Sequence, residues 1–224
     1  MLAVLLWLGV WQVHRLAWKT QLLSDIDRAE ASAAVPLGDG PLSAAPSPFA
    51  KVRVQGRYIP GAHGFYGASV HDTTMGPTLG ADLLMPLRPS DGGPPVLVDL
   101  GWVPQPRDQK LPQAPPLPVG EVTVEGFVRP GERAGMFSAQ DDLALRHFYT
   151  LDPAAIGAGL GVPDLRPFTL VALGAGPSGA HYPEAARHLP RPDNNHLSYA
   201  ITWFGLAAAL VVIFLVYARK VLRP

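Results

Sequence analysis

From Leu197 to Ala218 the chain runs for twenty-two residues without a charge, and Leu, Ile, Val, Phe and Ala dominate the run. At about 1.5 Å per residue a helix of that length extends about 33 Å, enough to cross a hydrocarbon core about 30 Å thick. Asp193-Asn194-Asn195 precede it, side chains suited to capping a helix start. Ala218-Arg219-Lys220 and then Arg223 close it, and the positive-inside rule assigns this basic end to the cytoplasm. His196 is therefore predicted at the outer mouth of a membrane helix.

Composition agrees with a chain partly in lipid. Of 224 residues 48% are hydrophobic and only 16% charged, against about 25% charged in ordinary soluble domains. Lys plus Arg and Asp plus Glu number 18 each, so the net charge is zero and no basic stripe is available for nucleic acid. The 25 Pro and 23 Gly favour long loops and short strands over a helical bundle. No cysteine is present, which removes thiolate haem ligation, CxxCH attachment, iron–sulfur clusters and sulfur-based zinc or copper sites. The four Met residues are scattered, so no Met-rich copper site arises.

Met1 to Val13 is apolar, yet thirteen residues span only about 20 Å as a helix. Extending the helix to Trp18 gives about 27 Å and brings His14 and Arg15 to the outer boundary. Either Arg15 snorkels beside Trp11 and Trp18, or a few residues precede Met1 in the native chain. A cleaved secretory signal is the rival reading, but a basic n-region and an A-x-A site after the apolar run are both missing. A retained anchor over residues 1–19, continuing as helix to about 34, is expected. Its aqueous part would carry Leu22, Leu23 and Ile26 on one side, among Asp25, Asp27, Arg28 and Glu30.

Beyond the Pro- and Gly-rich linker Pro36–Pro48, the hydrophobic period changes to two. Val52, Val54 and Gly56-Arg57-Tyr58 read as one strand; Leu83–Leu87 and Val96–Val103 read as a hairpin about Ser90–Pro95. Pro104 to Pro118 reads as a long loop. Glu121–Val128 alternates most cleanly, and His147–Thr150 and Phe168–Leu173 bring the total to about six strands. Asp152 is a cap for a short helix to Leu160, with Pro153 at its first position. The predicted fold is thus an α+β membrane protein. Two transmembrane helices, 1–19 and 194–218, flank an outward-facing, mostly antiparallel β-rich domain over 35–193, with a cytoplasmic tail over 219–224.

No enzyme constellation stands out. Ser69-Val70-His71-Asp72 groups a hydroxyl, an imidazole and a carboxylate, but strand neighbours point to opposite faces and no GxSxG elbow accompanies them, so the segment reads as loop. Gly38-Asp39-Gly40 and Gly174-Ala175-Gly176 lack the strand–helix context and Lys of a phosphate cradle. There is no HExxH motif; His181 and His188 read as solvated, and Asp141-Asp142 as a turn or cap. A non-enzyme is expected.

His196 differs, because an ionisable group on a membrane helix is costly and invites a functional hypothesis. Tyr199, Ala200 and Trp203 share its face at helical spacing. A flat haem fits such a face, ligated through iron by His196, with Arg191 or Arg15 for its propionates and His14 as a second-ligand candidate. The bland alternative is an interfacial His in an Asn-Asn-His cap, with Tyr199 and Trp203 as an ordinary aromatic belt and His14 as another interfacial His. Gly205 and Ala209 form a small-xxx-small pair suited to close helix packing.

Four blocks in order carry a family resemblance. Gly9-Val10-Trp11-Gln12-Val13-His14-Arg15 with Trp18-Lys19 resembles a G-x-W-Q-x-x-R…W-K signature, and Pro48-Phe49 with Val52, Val54, Gly56 and Tyr58 resembles a first-strand block. Val96–Pro104 is similar to V-L-V-x-R-G-W-V-P, with Leu100 in place of Arg, and Asn194–Phe204 to N-x-H-L-x-Y-x-x-T-W-[FY]. These are the motifs of the Surfeit locus 1 proteins, assembly factors for cytochrome c oxidase. The resemblance implies an inner-membrane protein with both termini cytoplasmic and its domain in the periplasm. It also implies a role in supplying haem a to subunit I of the oxidase, with His196 as the expected ligand. The haem a farnesyl tail would lie along the Leu/Val-rich helix, and the β-rich domain would dock to oxidase subunits or to haem A synthase. A cofactor-free scaffold that only docks oxidase subunits or haem A synthase is the alternative. An anchored hydrolase is a third class, without an assembled nucleophile.

Overall fold

The computed structural model describes residues 1–38, 46–74, 76–106, 109, 111–116, 118–174 and 182–222. Asp39-Gly40, Ala175-Gly176, His181 and Arg223 lie outside the described residues. Two compact units emerge: residues 1–28 with 190–224, and residues 29–189.

The first unit is a pair of helices, α1 (Leu2–Ala31) and α3 (His196–Leu222). α1 stops at Ala31, three residues short of the predicted end. Among the described residues one helix, α3, is long and apolar enough to cross a membrane, which fits membrane association. α1 is longer, but Arg15, Lys19 and the charged turns beyond Ser24 interrupt its apolar stretch. Among the less exposed positions of α1, Leu5, Gly9, Gln12, Leu16, Lys19, Leu23 and Ile26 follow a 4-3-4-3 spacing, with Leu8 and Leu22 flanking the stripe. Those of α3 do the same: His196, Ala200, Trp203, Ala207, Leu210. Alternating steps of three and four keep one stripe facing a partner helix. At Gly9 a Cβ would stand 2.7 Å from the Phe204 ring, so a larger residue there would push that ring aside. The expected small pair does not serve here: Gly205 has nothing near its Cβ position and Ala209 is exposed. Gly9, Ala200 and Ala207 are the small residues of the buried stripes, because the helical phase set by His196 steps past 205 and 209.

The second unit holds eight strands rather than about six: β1 (Val35–Pro36), β2 (Lys51–Tyr58), β3 (Gly64–Thr73), β4 (Gly76–Pro89), β5 (Val96–Pro104), β6 (Val122–Pro130), β7 (His147–Phe148) and β8 (Phe168–Ala172). It also holds the short helix α2 (Pro153–Leu160). Strands β2, β6, β8, β5 and β4 are paired in that order, and β4 returns to pair with β2, so the five close on themselves. Most contacts are antiparallel; β1–β2, β3–β7 and β5–β8 are parallel. Closure turns at Gly56, which pairs with Val122 on one side and Pro89 on the other. A Cβ there would lie 2.3 Å from the Arg88 carbonyl oxygen, the usual reason for glycine at a barrel corner.

Val52, Val54, Leu87, Val96, Val98, Val124, Val128, Phe168 and Leu170 form one core cluster, and Leu84, Leu97, Phe148, Leu151, Ile156 and Leu160 a second. Because β5 feeds both clusters, it reads as a continuous apolar run instead of alternating. α2 is capped as predicted: the Asp152 carboxylate accepts from the Ala154 and Ala155 amides, and Pro153 opens the helix.

Two expectations are corrected. Ser69–Asp72 is strand, not loop: it lies in β3, paired with Gly80 through Pro77 of β4. Its outer residues are exposed, so no buried face imposes a hydrophobic alternation; cross-strand hydrogen bonds hold it instead. The start of the supposed linker is also tied down, since Val35-Pro36 pair with β2 and Leu37 is buried in the first core cluster.

Candidate functional site

His196 is the first residue of α3 and is half-buried. Upstream, Arg191 donates to Asp27 at 2.5 Å, and the Asn194 side-chain amide donates to Thr20 Oγ1 at 3.4 Å. Ser198 Oγ returns to the Asn195 carbonyl at 2.7 Å, closing the first turn. The contacts run in opposite order along the two segments (27 with 191, 20 with 194, 12 with 196), so the helices are antiparallel.

The imidazole has one close polar partner. Its Nδ1 lies 2.7 Å from Oε1 of Gln12, and Gln12 is itself only 8% exposed. With Gln12 Oε1 turned to the ring, Nδ1 is the donor and Nε2 would keep the lone pair of the neutral imidazole; the opposite amide orientation would reverse the tautomer. Among the described residues no hydrogen bond to Nε2 is made. Asn194 Oδ1, two residues upstream, is buried without a partner.

The other predicted site residues separate. Trp203 shares the buried stripe with His196, while Tyr199 is 56% exposed. His14 is exposed and two residues past Gln12, about 200° further round the helix, so it is not on the stripe that meets His196. Arg15 is exposed too, its guanidinium 4.0 Å over the Trp18 ring. The interior partner of His196 is therefore Gln12, which the sequence placed only as part of a motif. His188 is well exposed, with Nδ1 3.4 Å from a Glu30 carboxylate oxygen.

A second polar constellation lies on the barrel, which sequence reasoning missed. Asp99, on β5, is 4% exposed, and its Oδ1 accepts from the Gly101 amide at 3.0 Å. Burial pushes its carboxyl up to about 7, with the charge of Asp82 adding to the rise and Arg129 opposing it. Burial also raises Asp82 on β4, against the pull of His71 and Arg129. Arg129 donates to Tyr66 Oη at 3.0 Å and to Glu132 at 2.8 Å. His71 stacks flat on Trp102, centroids 4.4 Å apart, with Nδ1 3.5 Å from a Glu184 carboxylate oxygen. The one legible signal was a lone Asp inside the apolar run Val96–Val103. Among the described residues no three His, Asp or Glu side chains converge to hold a metal ion. Asp141 and Asp142 precede the turn 143–146, with Asp142 bridged to His147, and their carboxylates accept from the backbone amides of Tyr149 and Leu145.

A β-rich domain joined to a helix pair, with a histidine at the head of the one helix long and apolar enough to cross a membrane among the described residues, fits a membrane-associated protein. The family model for the SURF1 family matches residues 1–208. A SURF1-like protein of Drosophila melanogaster is 31% identical over 230 residues, covering 96% of this chain and 74% of the fly protein. A SURF1-like protein of Rickettsia conorii is 29% identical over 97% of this chain and 88% of its own. Surfeit locus protein 1 of Mus musculus is 27% identical over 90% and 68%. The chain belongs to the SURF1 family.

Proposed function

We propose that this protein is a non-catalytic assembly factor for an a-type haem–copper cytochrome c oxidase, holding haem a on His196 for insertion into subunit I. Membership of a family of oxidase assembly factors supports the class of function. The observation that carries the cofactor reading is the placement of His196: Nδ1 is engaged by Gln12 Oε1 within the helix pair, and among the described residues no hydrogen bond is made to Nε2. His196 would hold haem a through a neutral imidazole nitrogen, and the group would supply an iron centre for that nitrogen to bind. The chain's own residues do the rest. α1 and α3 hold the ring at the head of the apolar helix, and exposed Tyr199, one turn further along α3, offers aromatic surface beside it. Arg219 and Lys220 at the far end of α3 favour a cytoplasmic C-terminus and a periplasmic domain in a bacterial inner membrane. α1 then serves as the second membrane anchor, and the barrel docks oxidase subunits or haem A synthase.

The test is a visible spectrum and pyridine haemochrome of protein purified from membranes of a haem a-producing host. The wild type is expected to carry haem a and His196→Ala to lose it while remaining in the membrane. Unchanged haem in His196→Ala overturns the ligand assignment. A colourless wild type that still co-purifies with subunit I establishes the scaffold alternative instead.

A further inference from the structure

We infer that Gln12 is a positioning residue for the ligand: its buried side-chain carbonyl selects the Nδ1–H tautomer of His196, fixes the ring plane and so presents Nε2 to the iron. The inference rests on the reading of His196 as ligand and adds a residue and a mechanism to it.

Three features carry it. First, the 2.7 Å separation is that of a strong hydrogen bond, between side chains 184 positions apart in the chain. Second, Gln12 is 8% exposed within an otherwise apolar stretch of α1, where an unpartnered amide is costly. His196 is the partner the structure gives its oxygen. Third, free neutral histidine favours the Nε2–H tautomer, which has no lone pair on Nε2 to offer. A fixed acceptor on Nδ1 reverses that preference, as second-shell carbonyls and carboxylates do for metal-bound histidines generally. Position 12 also lies on the buried stripe of α1, one turn from Gly9, so the helix approach that glycine permits holds the acceptor in place. A Gln kept only as interhelical glue would need a partner but would not care which ring nitrogen it met.

The experiment uses the full-length protein in nanodiscs with two substitutions. Gln12→Leu keeps the shape and removes the acceptor; Gln12→Glu keeps the acceptor and adds charge. In haem-free protein with ¹⁵N-labelled histidine, at about pH 8 where an ordinary histidine is neutral, the wild type and Gln12→Glu are expected to show His196 protonated on Nδ1. Gln12→Leu is expected to shift it towards Nε2–H. On haem a binding, Gln12→Leu should weaken affinity about 10–100-fold. Gln12→Glu should retain affinity and lower the reduction potential, since an anionic acceptor makes the imidazole a stronger donor. The Nδ1–H tautomer surviving in Gln12→Leu, or unchanged affinity and spectrum there, overturns the inference. If Gln12→Leu fails to fold, Gln12→Glu decides alone, and an unshifted potential with tight binding overturns it. Haem retained in His196→Ala overturns both readings; haem lost there but unaltered in Gln12→Leu overturns only the role of Gln12.

Discussion

Asp99 shows how far one residue departs from its sequence context. Its carboxyl is buried in the barrel wall and accepts one amide hydrogen bond, too little to compensate an ionised form, so the neutral form is favoured in the folded state. With its pKa raised from 3.8 to about 7, the folded state binds the extra proton between those values. The contribution of Asp99 to stability is therefore fully present below about pH 4 and is lost as pH rises through about 7. Asp99→Asn is expected to flatten most of that fall and to stabilise the domain at pH 8 by about 2–4 kcal/mol, measured by urea unfolding across the pH range. A slope identical to the wild type would show that Asp99 does not titrate in this way. His196 was legible at this scale, because depth and motif single it out. Its partner was not, since no local spacing connects residue 12 to residue 196.

Elements are held by backbone approach as much as by propensity. In β5, Gly101 has φ +105°, and a Cβ there would lie 2.1 Å from the Glu184 carbonyl oxygen. Glu184 and Trp102 exchange backbone hydrogen bonds at that point, so neither side has room to retreat. Gly101→Ala is expected to cost about 3 kcal/mol or more, combining left-handed backbone strain with the clash. Gly92 has φ +82° with open space around it, so Gly92→Ala should cost only about 1 kcal/mol. Chemical denaturation of the two variants checks the contrast; equal losses would mean that the approach to Glu184 contributes nothing. Strands with one buried face, β2 and β6, were legible from alternation. β3 was not, because its exposed outer half has no core to impose a pattern.

At the scale of the molecule, each core cluster of the second unit is built from that unit's own residues. A fragment of residues 29–189 is therefore expected to fold without the helix pair, with a single cooperative thermal transition, and to carry no haem. A non-cooperative melt of the fragment would refute the division into independent units. The sequence by itself determined the apolar helix, the β-rich stretch ahead of it, the family and the histidine at the helix head. All of these follow from composition, periodicity or contiguous motifs, which are local properties of the chain. Only the tertiary structure decided that five strands close into a barrel, that Asp99 is buried in its wall, and that Gln12 rather than His14 meets His196. Those depend on which helix face and which strand edge come together across long separations. That choice is made by packing and hydrogen-bond satisfaction, which no short window of residues encodes.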